Sequence, residues 1–236
     1  MIVYGRNAVR EALRGSREVG RLWCTAAVLR EPWIAGERGA EPRVSAAEAI
    51  RELCGSDAHQ GICAEVSPYR YATADTLLAR PQALIVALDQ VQDPQNLGAI
   101  CRSAECAGAD GVVIPERRAA EVTAAVCKAS AGAVEHLPVA RVRNLADFLT
   151  DAKALGAWCY GADGSAQASY VDLDYRGATV LVLGSEGRGL RPRVAACCDA
   201  LVSIPIVGRI ESLSVSAAAA VLLYAAVGSR VRVGGR

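Results

Sequence analysis

The sequence predicts an α/β protein, with a mostly parallel sheet flanked by helices on both sides over residues 83–236 and a smaller α/β unit before it. Three observations predict this. From Ala83 onward, six runs rich in Val, Ile and Leu alternate with segments of helical pattern, and strands apolar on both faces belong in a sheet covered on both sides. Three of those runs end in loops rich in glycine, hydroxyl and charged residues, and parallel sheets bind ligands beyond the carboxyl ends of their strands. Size is the third: 236 residues, 52% of them hydrophobic, suffice for a sizeable core and two domains.

In chain order, residues 1–66 carry a helix ("NAVREAL"), a strand ("RLWCTAAVL"), a loop with proline and glycine ("EPWIAGERGAEP"), a helix with Ser45 as N-cap ("SAAEAIREL") and a closing strand ("GICAEVS"). Arg6, Arg10 and Arg14 recur at four-residue spacing beside Val9, Ala12 and Leu13, so they flank one face of a short helix that Gly15 can end. A solvated face and a phosphate-contacting face both fit that spacing. Residues 67–82 have mixed polarity and two prolines, as a linker with a short helical turn would. The strands of residues 83–236 are "LIVALD", "GVVIP", "VEHLPVARV", "AWCYGAD", "TVLVLGSE" and "ALVSIPI". Helical patterns lie between them, one with Asn144 as N-cap and Gly156 as its stop, and "ESLSVSAAAAVLLYAAV" comes last.

Several classes are excluded. The nine cysteines are scattered without a CxxC pair, which fits small buried hydrophobes and neither a disulfide framework nor a metal site. The apolar run at 217–227 is too short to cross a bilayer and reads as a buried helix. "MIVYG" lacks the charged start and apolar stretch of a signal peptide, so a cytoplasmic protein is expected. A net charge of +1 neither demands nor excludes a nucleic-acid partner.

Three loops stand out as one site. In "DPQNLGAICRSAECAG", Asp93, Pro94 and Asn96 mark a helix entry, and Gly98 lies one turn before Arg102, leaving open space beside a guanidinium that can grip a phosphate. In "LVLGSEGRGL", Gly184, Gly187 and Gly189 surround Glu186 at a strand's carboxyl end, where backbone can approach a ligand or adopt positive φ. Its GxxGxG order is neither the dinucleotide fingerprint nor a P-loop, which counts against a nucleotide-dependent oxidoreductase. In "IPIVGRIESLSVSAAAA", a strand end runs into small hydroxyl residues and alanines, with Ser212 as a good N-cap.

Together these loops resemble the three ordered motifs of the SpoU (TrmH-like) family of RNA ribose 2′-O-methyltransferases, and "VYGRNAVREAL" and "HQGICAEV" resemble the L30e-like substrate-binding domain of its bacterial ribosomal RNA members. The resemblance implies an RNA-binding domain over residues 1–66, a linker over 67–82, and a methyltransferase domain over 83–236 with a C-terminal trefoil knot, a rare exception to unknotted topology. It further implies a homodimer and S-adenosylmethionine bound through Gly184, Ile204 and Leu213, with Leu183, Pro205 and Gly208 lining the pocket. Arg102, Asn96, Glu186, Ser212 and Ser214 are the implied catalytic set, and Arg6, Arg10 and Arg14 the weaker RNA-binding candidates; no metal is implied.

The implied reaction is in-line attack of a ribose 2′-hydroxyl on a sulfonium methyl, which needs alignment and removal of a proton. A guanidinium with a pKa above about 12 is a poor base, so Arg102 is read as stabilising developing charge and recruiting phosphate, with Glu186 the more conventional acceptor. His59 and His136 lack a nucleophile motif and read as structural. The chain departs from the family at Ser214, where the motif has asparagine, a residue with longer reach and both donor and acceptor groups. The expected function is 2′-O-methylation of a guanosine in 23S ribosomal RNA. A transfer-RNA methyltransferase or a non-catalytic ribosome-assembly factor are the alternatives.

Overall fold

The computed structural model describes residues 1–36 and 41–234, so part of the expected proline and glycine loop lies outside the described residues. The first unit comprises β1 (Ile2–Tyr4), α1 (Arg6–Arg14), β2 (Val19–Cys24), α2 (Ala26–Leu29), α3 (Pro32–Gly36), β3 (Pro42–Val44), α4 (Ala47–Cys54) and β4 (Ile62–Val66). Its sheet runs β1-β4-β2-β3, with β4 antiparallel to both neighbours and β2 parallel to β3. α1 forms as its pattern predicts: Ala8, Val9 and Ala12 are buried, and the helix stops at Gly15.

Two local expectations are corrected. The strand expected from Arg21 to Leu29 stops at Cys24, because the Thr25 hydroxyl accepts a hydrogen bond from the Val28 amide and starts α2. Ser45 does not cap α4. Its amide donates to the Cys24 carbonyl at 2.9 Å, extending the β2–β3 edge, so the cap position passes to Ala46. β1 was not anticipated, since three residues are too few to show an alternation.

After the short α5 (Ala74–Leu77) come β5 (Leu84–Asp89), α6 (Pro94–Cys106), β6 (Gly111–Pro115), α7 (Ala124–Ala129), β7 (Val139–Val142), α8 (Leu145–Ala154), β8 (Trp158–Ala162), β9 (Ala168–Ser169), β10 (Thr179–Gly184), α9 (Pro192–Cys197), β11 (Ala200–Ser203) and α10 (Val215–Gly234). The second sheet has the order β7-β6-β5-β10-β8-β11-β9, and every neighbouring pair runs parallel. The chain builds outward from β5 to β7, jumps to β8, and later inserts β10 between β5 and β8. All strands therefore end on one side, and the switch in direction lies at β5 and β10, where such sheets form a crevice.

Two apolar clusters cover the sheet. Leu97, Ile100, Val126, Leu222 and Leu223 belong to one face, and Leu145, Leu149, Ala152 and Val194 to the other. α10 buries Val215, Ala219, Leu222, Leu223 and Ala226, while Tyr224 and Val231 are exposed, so the helix is buried along one face and not all round as its composition suggested. The strand expected around His136 is confined to Val139–Val142; residues 133–135 form a 3₁₀ turn instead. Of the nine cysteines expected to be buried, Cys24, Cys63, Cys101, Cys127 and Cys159 are, whereas Cys54, Cys197 and Cys198 are half-buried and Cys106 is exposed. Burial pushes the Cys63, Cys101 and Cys159 thiols up to about 12, as for inert core residues. No described helix is long and apolar enough to cross a membrane.

The two sheets are joined by a buried ion pair. Arg17 sits over the Tyr69 ring at 5.7 Å and donates from Nε to Glu135 Oε2 at 2.8 Å, with Nη2 reaching the other carboxylate oxygen. Their side chains are 6% and 1% exposed. Beside them His136 bonds Glu11 at 2.8 Å, and Gly132 at φ +89 lacks the Cβ that would strike the Glu11 side chain.

Candidate active site

The first loop leaves β5 at Asp89. Asp93 caps α6, its Oδ1 accepting from the Gln95 amide at 2.9 Å, and Pro94 occupies the first turn, where no amide donor is required. This entry aims Asn96 toward the second loop, and its Nδ2 donates to Glu186 Oε1 at 3.1 Å. Gly98 does not open space beside Arg102. It is buried, and a Cβ there would overlap Ala129 and lie 2.9 Å from the Ser130 amide, so the glycine lets α6 pack against the end of α7. Arg102 is exposed on the same helix.

The second loop follows β10. Gly187 and Gly189 have φ of +77 and +65, and the Gly189 amide donates to the Ser185 carbonyl at 3.0 Å, closing a tight turn. A Cβ on Gly184 would overlap the Gly189 carbonyl and the Leu190 amide. The close approach read from this glycine is thus by the loop's own backbone; the three glycines shape the turn that presents Glu186. Its far end is anchored by a residue that sequence reasoning missed. Asp89, fully buried, accepts from the Arg191 amide and from Nε, each at 2.8 Å, and forms an ion pair with Nη2 at 2.7 Å. The available signal was an acidic residue closing an otherwise apolar strand pattern.

The third loop begins when β11 ends at Ser203, so Ile204 and Pro205 lie outside the strand that was expected to include them. No backbone hydrogen bond ties residues 204–213 to the rest of the described chain. Val207, Ile210 and Leu213 are 99%, 76% and 43% exposed. Ser212 is not the N-cap. α10 starts at Val215, and Ser214 Oγ accepts from the Ala217 amide at 3.2 Å, so the cap lies two residues later, where the helix can bury Val215 and Ala219. The Val215 amide points at Glu186 Oε1, 3.4 Å away.

Glu186 Oε1 thus joins all three loops, around a cavity of about 310 Å³ whose lining includes Gln90, Asp93, Asn96, Ser185, Glu186 and Val215. Glu186 Oε2 accepts no hydrogen bond among the described residues. Of the expected catalytic set, Asn96 and Glu186 line the cavity, Ser214 caps the helix that begins beside it, and Arg102 and Ser212 lie outside its lining. Leu183 is buried behind the second loop, Gly184 precedes its turn, and Ile204, Pro205, Gly208 and Leu213 belong to the exposed third loop. That loop offers unused backbone donors and acceptors beside apolar side chains, the equipment for a ligand with a flat heterocycle and a polar tail. Among the described residues no cluster of His, Cys, Asp and Glu is arranged to hold a metal.

On the first unit, Arg6 pairs with Glu31 at 2.8 Å, Arg14 lies 3.4 Å from Glu11, and Arg10 lies over the Trp33 ring at 5.9 Å. The α1 arginines are therefore largely engaged within the unit.

Comparison with known proteins gives a consistent result. Residues 83–224 match the SpoU rRNA Methylase family, and residues 2–72 match the RNA 2′-O ribose methyltransferase substrate-binding family. A putative TrmH family tRNA/rRNA methyltransferase of Bacillus subtilis, YacO, is 38% identical over 98% of this chain and 97% of its own length. The SpoU methyltransferase AviRb of Streptomyces viridochromogenes, solved with the cofactor AdoMet, superimposes with a TM-score of 0.82 at 28% identity, over 100% of this chain and 91% of that one. An AdoMet-bound rRNA methyltransferase from Sinorhizobium meliloti gives a TM-score of 0.79 at 27% identity, over 95% and 85% of the two chains.

Proposed function

The chain belongs to the SpoU rRNA methylase family and is an S-adenosylmethionine-dependent RNA 2′-O-methyltransferase, and on that premise we propose that it methylates a guanosine ribose in 23S ribosomal RNA. The observation that carries the reading is the Glu186 carboxylate, which ties Asn96 and the start of α10 together with one oxygen and leaves the other free. The substrate-binding match at residues 2–72 supports an RNA substrate, and the likeness to an rRNA methyltransferase over 95% of this chain supports a ribosomal one. Such a target belongs to the cytoplasm.

The residues fit the cofactor by the chemistry they offer. Gly184, Ile204 and Leu213 would hold S-adenosylmethionine through backbone groups, with Leu183, Pro205 and Gly208 around it. When bound, the cofactor supplies an electrophilic sulfonium methyl. The protein's share is alignment, which alone can contribute on the order of 7–11 kcal/mol. Arg102 stabilises charge developing on the ribose oxygen and recruits the adjacent phosphate. Glu186 Oε2 takes the hydroxyl proton, Asn96 holds the carboxylate in place, Ser212 contacts RNA from the exposed loop, and Ser214 orients α10.

Two further features belong to this reading. Val207, Ile210, Leu213 and Tyr224 are exposed apolar side chains, and burial of such residues between subunits supports a homodimer. The return of the chain from β11 to α10, beside the second loop, supports the C-terminal trefoil knot that belongs to this reading.

The test is transfer of labelled methyl to 23S ribosomal RNA from cells lacking the protein, with mapping of the modified nucleotide. Arg102→Ala is expected to lower transfer by roughly 10²–10³-fold, the effect of removing one charge-stabilising donor, with cofactor affinity measured by calorimetry unchanged. Full activity in that variant would remove Arg102 from the mechanism. A map pointing to transfer RNA would overturn the ribosomal assignment.

A further inference from the structure

The arginines of the larger unit are divided between its two ends. At the amino ends of the strands, the cations are matched: Arg80 with Asp110 at 2.6 Å, Lys153 with Asp199 at 2.9 Å, Arg176 with Asp174 at 2.6 Å, while Arg230 donates to the carbonyls of Gln82, Tyr175 and Gly177. At the carboxyl ends, Arg141, Arg191 and Arg193 are paired with Glu121, Asp89 and Asp147. Five others there are exposed and make no ion pair or side-chain hydrogen bond among the described residues: Arg143 after β7, Arg117 and Arg118 after β6, Arg188 after β10, and Arg209 after β11. Their strands lie on both sides of β5, whose end opens into the cavity.

The loop carrying Arg117 and Arg118 is held on several sides. The Glu116 amide donates to the Val142 carbonyl, the Ala120 amide to the Val91 carbonyl and the Val122 amide to Tyr71 Oη, each at 2.9 Å, and Arg141 Nη2 donates to the Glu116 carbonyl at 3.1 Å. Val91 lines the cavity, so the loop is tied directly to its wall. Within this frame Arg118 adopts φ +58, a left-handed conformation uncommon for a residue with a side chain. A strained backbone fixed by surrounding hydrogen bonds, presenting two unmatched cations, is more than a solvated turn requires. Asp93, Glu186 and the exposed Glu116 share the stretch, and the hydrogen bonds of the first two to the Gln95 amide and Asn96 at the cavity do not cancel their charge. The four arginines after β7, β6 and β10 outnumber them, and the Arg117–Arg118 loop itself carries only Glu116 besides Glu121, which pairs with Arg141.

We propose that Arg143, Arg118, Arg117 and Arg188 form a phosphate-binding track for single-stranded RNA, running from the ends of β7 and β6 past the cavity to the second loop. The proposal rests on the RNA methyltransferase reading and places the principal grip on the substrate strand in the larger unit, beside the chemistry, and not on α1. Successive parallel strands are about 4.8 Å apart, so the track extends roughly 10 Å on the β7 side of the cavity, enough for the nucleotides flanking the target. Loop or single-stranded RNA is the form whose 2′-hydroxyl such a surface can reach.

The experiment uses the full chain and a single-stranded oligoribonucleotide, with affinity measured by fluorescence anisotropy across a salt series. R117Q/R118N is the first variant, asparagine being tolerated in the left-handed region, and R143Q is the second. Single-strand contacts contribute about 0.7 to the slope of log affinity against log salt. The double variant is therefore expected to flatten that slope by about 1.4, and the triple variant by about 2.1. The KM for RNA should rise, with melting temperature, cofactor affinity and kcat at saturating RNA unchanged. An unchanged slope and KM would overturn the track, as would a slope altered only by R6Q/R10Q/R14Q on α1. Wild-type methyl transfer is read separately: its absence would sink the methyltransferase reading, while the slope comparison would still decide whether these arginines bind RNA.

Discussion

The Asp89–Arg191 clamp makes an asymmetric prediction. Asp89 is fully buried and accepts two hydrogen bonds from Arg191, with Nη2 completing the ion pair; the arginine side chain is 45% exposed. Removing the aspartate frees a guanidinium that water can rehydrate, and it also removes the cost of burying a carboxylate. Hydrogen bonds involving a charged group contribute about 1.5–3 kcal/mol each, but that relief offsets much of their sum, so Asp89→Ala should cost about 1.5–3 kcal/mol. Arg191→Ala does the reverse, stranding a buried carboxylate whose one remaining partner among the described residues is the amide of residue 191. Breaking a buried pair in this way costs about 3–5 kcal/mol. The double variant should then be more stable than Arg191→Ala alone. Urea denaturation of the four proteins gives the energies, and calorimetry with S-adenosylmethionine reports the second loop that the clamp holds. If Asp89→Ala is the more damaging single change, or both fall within about 0.5 kcal/mol of wild type as ordinary surface substitutions do, the clamp is not what fixes this loop.

Two further predictions concern packing. Arg17→Ala leaves Glu135 almost fully buried without its guanidinium, and a loss of about 3–5 kcal/mol is expected; an unfolding midpoint equal to wild type would show that this pair does not hold the two units together. Ser214→Ala should lose about 1 kcal/mol by removing the α10 cap, whereas Ser214→Asn should be neutral within a few tenths, since asparagine and serine cap comparably. Methyl transfer by the asparagine variant checks the chemistry. A rate far above wild type would mean that the amide has a role in the reaction beyond capping.

Legibility in the sequence followed interaction range. The strands at 84–89, 111–115 and 179–184 and the caps at Asp93 and Asn144 were readable because each depends on neighbours within a few residues. The cap of α10 was misplaced because Ser212 and Ser214 satisfy the same local rule, and the choice between them is made by which register buries Val215, Ala219 and Leu222 against the sheet. Gly98 was read as space for a ligand and is instead space for Ala129, thirty-one positions away in sequence. No local pattern reports a contact at that separation. Asp89 was passed over for the same reason, its partner lying at position 191.

The same distinction explains why the three loops were recognisable as one site before their geometry was known. Each loop carries chemistry in a few adjacent residues, and all follow strands of a parallel sheet, so topology alone brings them to one side. What topology does not decide is which group connects them. Glu186 does so because the glycine turn presents it outward, the Asp93 cap orients Asn96 toward it, and the Ser214 cap leaves the Val215 amide facing it. The glycines and serines that first suggested direct ligand contact therefore act one step earlier, by setting the backbone that aims a single carboxylate. On this account a substitution that preserves the turns and caps should preserve the site even where side chains differ from the family pattern, and Ser214 is the naturally occurring instance.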